Sequence, residues 1–180
     1  MITVLDIETT FTKEGDPSPF NPDNRLVSVG INDEYYFFYH DEEIKKDLTE
    51  SKKAIQNILD KSEVVVGHNL KFDMSWLYQC GFTYKGKLYD TMLGEYIINR
   101  GEKKSVSLKE SCKRRGISLK SDILATYMNE GYGIHQIPMA KLEEYGKQDV
   151  KITKELYEVQ TQAFDNHANN NLIPTRDLMN

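Results

Sequence analysis

The sequence predicts one layered domain of the α/β or α+β kind, built on a central sheet. Three observations carry this prediction. Apolar and polar residues alternate over residues 2–8, and the segments 25–31 and 34–40 are rich in Val, Ile, Tyr and Phe; both patterns are typical of strands. The run 64–66 is three consecutive valines, which is typical of a short buried strand. Most of the remaining chain has helical spacing, so helices are expected to cover the sheet.

The element boundaries are predicted from turn and cap signals. Residues 11–24 contain a glycine and three prolines and are expected to form a loop, and Asn32-Asp33 is expected to form a tight hairpin. Asp90 and Ser107 stand where helices begin and are expected to cap them. The residues expected to end helices are Gly81, Gly101 and Gly116. Helices are predicted over 43–60, 71–80, 90–100, 107–115, 121–130 and 139–164.

Composition restricts the class of protein. The chain is 39% hydrophobic and 28% charged, which is typical of a globular domain. It has neither a signal-peptide pattern nor an apolar stretch of about 18 residues, so no membrane association is expected. Cys80 and Cys112 are not spaced as metal ligands, and we expect free thiols in a reducing compartment, the cytoplasm. Residues 1–164 are predicted to be the folded domain, and the Asn-rich segment 165–180 a loose tail.

The charge of the chain is unevenly distributed. The net charge is −5, yet residues 100–120 contain eight basic and two acidic side chains. A basic strip on an acidic body is compatible with a phosphate-binding edge, and equally with a solvated helix face. Charge alone leaves both readings open.

Two acids lie on the first predicted strand. Asp6 and Glu8 are two residues apart, so their side chains point to the same face of a strand that the neighbouring Val4, Leu5 and Ile7 mark as central. Buried carboxylates are costly and repel one another, and no Lys or Arg on this strand is available to pair with them. A divalent cation with a preference for oxygen ligands, Mg²⁺ or Mn²⁺, removes both costs.

A third acid and a fourth are predicted to face inward from helices. Asp73 lies in the apolar stripe of its helix, and Asn69 occupies the preceding turn, where free backbone N–H groups of a helix start can bind an anion such as phosphate. In the last helix, Tyr145 and Asp149 lie one turn apart in a stripe with spacings of three and four residues. The residues of that stripe are Leu142, Tyr145, Asp149, Ile152, Leu156, Val159 and Ala163.

Four carboxylates placed in this way predict hydrolysis of a phosphodiester by two metal ions. Two ions about 3.5–4 Å apart can make a hydroxide from bound water and stabilise the leaving 3′ oxygen. We expect Asp6 to bridge both ions, with Glu8 and Asp149 on the first. Asp73 is expected to hold the second through water. Tyr145, with a reference pKa near 10, is expected to orient the attacking water and not to deprotonate it.

Three motifs resemble those of the DEDDy 3′–5′ exonucleases. They are Asp-x-Glu-Thr at 6–9, Gly-x-Asn-x-Lys-Phe-Asp at 67–73 and Tyr-x-x-x-Asp at 145–149. The resemblance is strongest to the proofreading domain of family A DNA polymerases, with RNase D-type exoribonucleases as cousins, and covers roughly residues 1–160. It implies a ribonuclease H-like (DnaQ-like exonuclease) fold, an α/β fold with a five-stranded mixed sheet flanked by helices. It also implies stepwise release of nucleoside 5′-monophosphates from a 3′ end.

The resemblance implies roles for individual residues. The implied catalytic residues are Asp6, Glu8, Asp73, Tyr145 and Asp149, of which the four acids are the ligands of two Mg²⁺ or Mn²⁺ ions. Thr9, Asn69 and His68 are the implied substrate-binding residues, although relatives often carry another polar residue at position 68. The expected partner is the 3′ end of single-stranded DNA or RNA, with DNA favoured. Because no polymerase domain follows, we expect a free-standing enzyme, an excised domain, or a subunit that proofreads for a separate DNA polymerase.

Three other classes of protein compete with this prediction. A scaffold with an inactive site would have lost a carboxylate, and none is lost. An endonuclease of the ribonuclease H type would release oligomers and has no need of Tyr145. A protein-interaction domain would act through the basic strip 100–120, so that charge reversal there would abolish its function while Asp6→Ala would not.

Overall fold

The structure, a computed structural model, describes residues 1–12, 15–119 and 123–166. Its strands are β1 (Ile2–Thr9), β2 (Leu26–Ile31), β3 (Glu34–Phe37), β4 (Val64–Gly67) and β5 (Lys87–Asp90). Its helices are α1 (Leu48–Asp60), α2 (Leu70–Gln79), α3 (Thr91–Ile98), α4 (Leu108–Arg114), α5 (Ile123–Asn129) and α6 (Met139–Asp165), with a 3₁₀ turn at Ile134–Gln136.

The five strands form one mixed sheet in the order β3-β2-β1-β4-β5. β1 pairs antiparallel with β2 and parallel with β4, which pairs parallel with β5. The strand that carries Asp6 and Glu8 is therefore the central one, as its apolar neighbours predict. The mixed five-stranded sheet confirms the α/β ribonuclease H-like fold that the resemblance implies.

Helices cover both faces of the sheet, and the side chains of β1 point alternately to one face and to the other. Leu5 and Ile7 pack in the larger core, together with apolar residues of α1 and α2. Val4 points the other way and packs with Val150 and Phe164 of α6. Asp6 and Glu8 share the face of Val4, so the sheet and α6 hold the acids between them.

Several element boundaries differ from the sequence prediction. The helix predicted from residue 43 begins at Leu48, because Asp47 caps it by accepting a hydrogen bond from the Glu50 N–H. β3 ends at Phe37 and not at residue 40. β5 was not predicted from the residue pattern, since four residues at a sheet edge give too short an alternation to recognise. Asp90 and Ser107 cap their helices as predicted.

Some predictions fall on residues outside the described ranges. These are the start of the helix predicted over 121–130, Lys120 of the basic strip, and the segment 167–180 of the predicted tail. In the part of the chain that the structure describes, no helix is both long and apolar enough to cross a membrane. Cys80 and Cys112 are free thiols, as expected.

Candidate active site

The acid pair of β1 lies where the sheet meets α6. Asp6 is opposite Gly30 of β2 and Glu8 is opposite Ser28, with a register shift directly after Glu8. Both acids are half-buried. Burial raises the pKa of Asp6 well above its ordinary value, and the charge of Asp149 raises it further. The first and last motifs therefore meet at Asp6, as the sequence predicts.

Asp73 reaches the same strand from α2. Its side chain is only 3% exposed, and its Oδ1 accepts a hydrogen bond of 3.2 Å from the backbone N–H of Ile7, between the two acids of β1. Burial raises its pKa well above the ordinary value, with a further increase from the charge of Asp6. Asp6 is thus acted on by carboxylates from two helices, one on each side of the sheet.

The donor set fits a divalent cation of the Mg²⁺ type. It consists of hard carboxylate oxygens alone, which such ions prefer. Burial and the repulsion between the acids both raise these pKa values, and a bound cation would offset both effects. Within residues 1–12, 15–119 and 123–166, no three His, Cys, Asp or Glu side chains are already gathered into a group that could hold an ion.

Tyr145 lies one turn before Asp149 on α6, and its hydroxyl donates a hydrogen bond to the Asp149 carboxylate. Burial raises the pKa of Tyr145 far above its ordinary value, and the charges of Asp149 and Glu8 add to this. The hydroxyl therefore stays protonated at neutral pH, which is compatible with the expected role of Tyr145 in orienting water.

The turn before α2 is held by a carboxylate. Asn69 has a left-handed backbone with φ 64°, and the Asp90 side chain accepts hydrogen bonds from Asn69 N–H (3.0 Å) and Leu70 N–H (2.9 Å). The same carboxylate accepts from Met92 N–H at 2.9 Å, as the predicted cap of α3. The prediction that these N–H groups are free for a phosphate is wrong, because Asp90 already occupies them. Asn69 itself is exposed.

His68 points toward α3. Its Nδ1 lies 2.9 Å from Oγ1 of Thr91, whose hydroxyl in turn donates to the Gly67 carbonyl. Burial lowers the pKa of His68, so the ring is neutral at pH 7. A substrate-binding role for His68 stays a prediction.

An open cleft of about 340 Å³ lies beside the carboxylates. Its walls include Glu8 and Thr9 of β1 and Tyr145 of α6. Phe11 and Phe72 line it as well, and Phe11 is 42% exposed. The other lining residues are Ile7, Leu124, Ala125, Met128 and Ile134. Trp76, by contrast, is a core residue, with 3% of its surface exposed.

The basic strip is partly used inside the protein. Glu95 of α3 is fully buried, and its carboxylate accepts hydrogen bonds of 3.1 Å from Nε of both Arg114 and Arg115. Gln160 of α6 donates to the same carboxylate at 3.1 Å. Two of the eight basic side chains thus neutralise an internal acid. This weakens the reading of the strip as a phosphate-binding edge.

Two features of the site were missed from the sequence. Tyr35 of β3 lies against Gly146, directly after Tyr145, and the pKa of Tyr35 is raised by burial and by the charge of Glu8. Because several residues of this strand are aromatic, the sequence does not indicate that this tyrosine packs beside the acids. Asp90 was predicted as a helix cap, but its hydrogen bonds to the turn before α2 join two elements that are separate in the sequence.

A mixed sheet with acids on its central strand and on a helix across it defines a ribonuclease H-like nuclease. The chain belongs to the 3′-5′ exonuclease family of the DNA polymerase A type, whose family model matches residues 12–161. That range contains Asp73, Tyr145 and Asp149 and begins after Asp6 and Glu8. The family depends on divalent metal ions. No curated protein matches the chain in sequence.

Solved structures agree on the fold. NrnC of Brucella melitensis with bound Mg²⁺ is 19% identical, with a TM-score of 0.62, and the match covers 97% of this chain and 82% of that one. NrnC bound to pGG gives a TM-score of 0.63 at the same identity and coverage. A nuclease in its apo form is 14% identical, with a TM-score of 0.66 and again 97% and 82% coverage.

Proposed function

We propose that the chain is a DEDDy-type 3′–5′ exonuclease that uses two divalent ions, Mg²⁺ or Mn²⁺, on single-stranded nucleic acid. One observation carries the proposal: beside burial, the charge of Asp149 raises the pKa of Asp6 and the charge of Asp6 raises the pKa of Asp73, so carboxylates from three elements interact at the central strand. Such crowding costs free energy in the folded state unless cations bind there.

The residues would divide the work as follows. Asp6 would bridge the two ions, Glu8 and Asp149 would hold the first, and Asp73 would hold the second through water. When bound, the ions supply the acidified water and stabilise the charge on the leaving 3′ oxygen. The protonated Tyr145 hydroxyl, which donates a hydrogen bond to Asp149, would orient the attacking water. Asp73 also accepts a hydrogen bond from the backbone N–H of Ile7, which fixes α2 against the strand that carries Asp6 and Glu8.

The cleft supports a substrate that ends as a single strand. Its volume is at the lower end of the range for small-molecule pockets, about 300–1,000 Å³, which suits one terminal nucleotide. Phe11 and Phe72 offer ring faces on which a base can stack. Thr9 lines the cleft, and the exposed Asn69 lies at the turn before α2, so both are proposed to contact the terminal nucleotide.

DNA is the proposed substrate, with proofreading for a separate polymerase as the proposed setting. The support for DNA is the family, which is of the DNA polymerase A type. The alternative is a 3′–5′ exoribonuclease, and a specific observation favours it: NrnC, which shares the fold, has been solved with bound pGG.

A product ladder tests the proposal. Single strands of DNA and RNA with the same sequence and a 5′ label are incubated with Mg²⁺, Mn²⁺ or EDTA. We expect a metal-dependent ladder that shortens from the 3′ end and is absent in Asp6→Ala. The faster polymer identifies the preferred sugar. Oligomers cut at internal positions would contradict an exonuclease, and metal binding without any cleavage would favour an inactive scaffold.

A further inference from the structure

A tyrosine outside the three motifs lies on the same face of the sheet as the acids of β1. Asp6 is opposite Gly30 of β2, and Gly30 is opposite Tyr35 of β3. Residues directly opposite each other in a sheet point to the same side. Tyr35 therefore faces α6 in one row with Asp6, and Ser28 lies in the next row opposite Glu8.

Two glycines leave the space that the Tyr35 ring fills. A Cβ at Gly146 would lie 2.3 Å from Cε2 of Tyr35, and a Cβ at Gly30 would lie 3.3 Å from Cδ2. The ring is thus inserted between β2 and α6, at the helical turn that carries Tyr145 and Asp149. The thickness of this ring sets how closely that turn approaches β1.

The Tyr35 hydroxyl is hydrogen-bonded to the residue that stands opposite Glu8 in the sheet. That residue is Ser28, whose Oγ shares a hydrogen bond of 2.8 Å with the Tyr35 hydroxyl. Of the charges that act on Tyr35, that of Glu8 has the largest effect. Each hydroxyl has one proton, and a single shared bond uses one of the two. The pair therefore keeps one proton that it can donate to a carboxylate.

We propose that Tyr35 is a positioning residue of the exonuclease site, which orients the Glu8 carboxylate through the Ser28–Tyr35 hydroxyl pair and fixes the distance between β1 and the Tyr145–Asp149 turn of α6. This inference rests on the proposed function. Tyr35 acts through a metal ligand and not on the substrate. Hydrogen-bond partners of metal ligands contribute about 10–100-fold to metal affinity or activity.

Tyr35→Phe removes the hydroxyl but keeps the ring, which still fills the space beside Gly146. The variant therefore tests the effect of the hydroxyl alone. Mn²⁺ affinity is measured without substrate, from the free-ion signal in electron paramagnetic resonance. We expect binding to weaken by about tenfold or more, with an unchanged circular dichroism spectrum. The kcat on a single-stranded oligonucleotide should fall at saturating oligonucleotide and fixed Mn²⁺, while KM for the oligonucleotide stays the same. An effect on packing alone would leave Mn²⁺ affinity unchanged.

Tyr36→Phe is the matched control. Tyr36 is the next residue along β3, is 4% exposed, and packs in the core on the opposite face of the sheet. The same chemical change there should leave Mn²⁺ affinity and kcat at the wild-type values.

Ser28→Ala provides a second variant, which keeps the test decisive if Tyr35→Phe does not fold. It should weaken Mn²⁺ binding in the same direction, because it removes the partner of the Tyr35 hydroxyl. Wild-type Mn²⁺ affinity in both variants would overturn the role of Tyr35 and leave the proposed function intact. A wild-type protein that neither binds Mn²⁺ nor shortens nucleic acid would overturn the proposed function, and this inference with it.

Discussion

Replacing Glu95 by Gln should destabilise the protein substantially, although Glu95 is outside the candidate active site. The carboxylate is fully buried and accepts hydrogen bonds of 3.1 Å and 3.2 Å from Arg115 and of 3.1 Å from Arg114. Gln has the same shape but no charge, and its NH₂ group cannot accept these bonds. The variant therefore leaves two guanidinium groups next to a neutral amide.

The magnitude follows from the burial of the three side chains. Breaking a buried ion pair by removing one partner costs about 3–5 kcal/mol. The arginine side chains are 26% and 21% exposed, so water partly compensates them, and we expect a loss of about 2–4 kcal/mol in the free energy of unfolding. For a domain of this size, a loss of 3 kcal/mol lowers the Tm by about 6–12 °C.

Thermal and urea unfolding of both proteins, followed by circular dichroism at pH 7, measure this loss. Glu102→Gln is the control, because Glu102 pairs with Lys104 on the exposed surface of the same region. That pair is exposed to water, so its loss should leave the free energy of unfolding nearly unchanged. If Glu95→Gln unfolds within about 0.5 kcal/mol of the wild type, the reasoning on the buried arginine pair is wrong.

Three further predictions follow from the same contacts. Burial disfavours the charged form of Glu95, but hydrogen bonds from Arg115 and Gln160 outweigh this effect and lower its pKa. The stability difference between wild type and Glu95→Gln should therefore be constant above about pH 5 and shrink as the pH falls through the lowered pKa. Urea titrations at several pH values measure this difference. Asp149→Asn should raise the Tm of the metal-free protein, because it relieves repulsion at Asp6, and it should reduce the Tm increase that Mn²⁺ causes. An unchanged Tm increase with Mn²⁺ would contradict the role of Asp149 as a metal ligand. Phe11→Ala should raise KM for a single-stranded oligonucleotide by about tenfold at an unchanged Tm, since a stacked base contributes about 1–3 kcal/mol and Phe11 is 42% exposed; equal KM values would exclude stacking there.

The convergence of the acids was predictable because each acid conflicts with its local pattern. Asp6 stands in an apolar strand and Asp149 in an apolar helical stripe, and a carboxylate in such a place has to have a compensating partner. The apolar neighbours of Asp6 correctly predicted that β1 is central, and the apolar stripe around Asp149 correctly predicted that α6 packs on the sheet. The charge of Asp149 contributes to the raised pKa of Asp6, and the charge of Asp6 to that of Asp73, which agrees with this reasoning.

The features that sequence reasoning missed depend on contacts between distant elements. Tyr35 is one of several aromatic residues in its strand, and only the pairing of β3 with β2 and the glycine in α6 show where its ring lies. The occupation of the α2 start by Asp90 needs β5, which was itself too short to predict. Glu95 could not be matched with Arg114 and Arg115, because 19 and 20 residues separate them.

The central claim is that the carboxylates of β1, α2 and α6 hold the catalytic ions. Anomalous diffraction from crystals grown with Mn²⁺ tests it most directly. The account predicts two peaks about 3.5–4 Å apart, with Asp6 between them, one peak next to Glu8 and Asp149 and the other on the side of Asp73. A well-ordered crystal that shows Mn²⁺ elsewhere and none at Asp6 would contradict it.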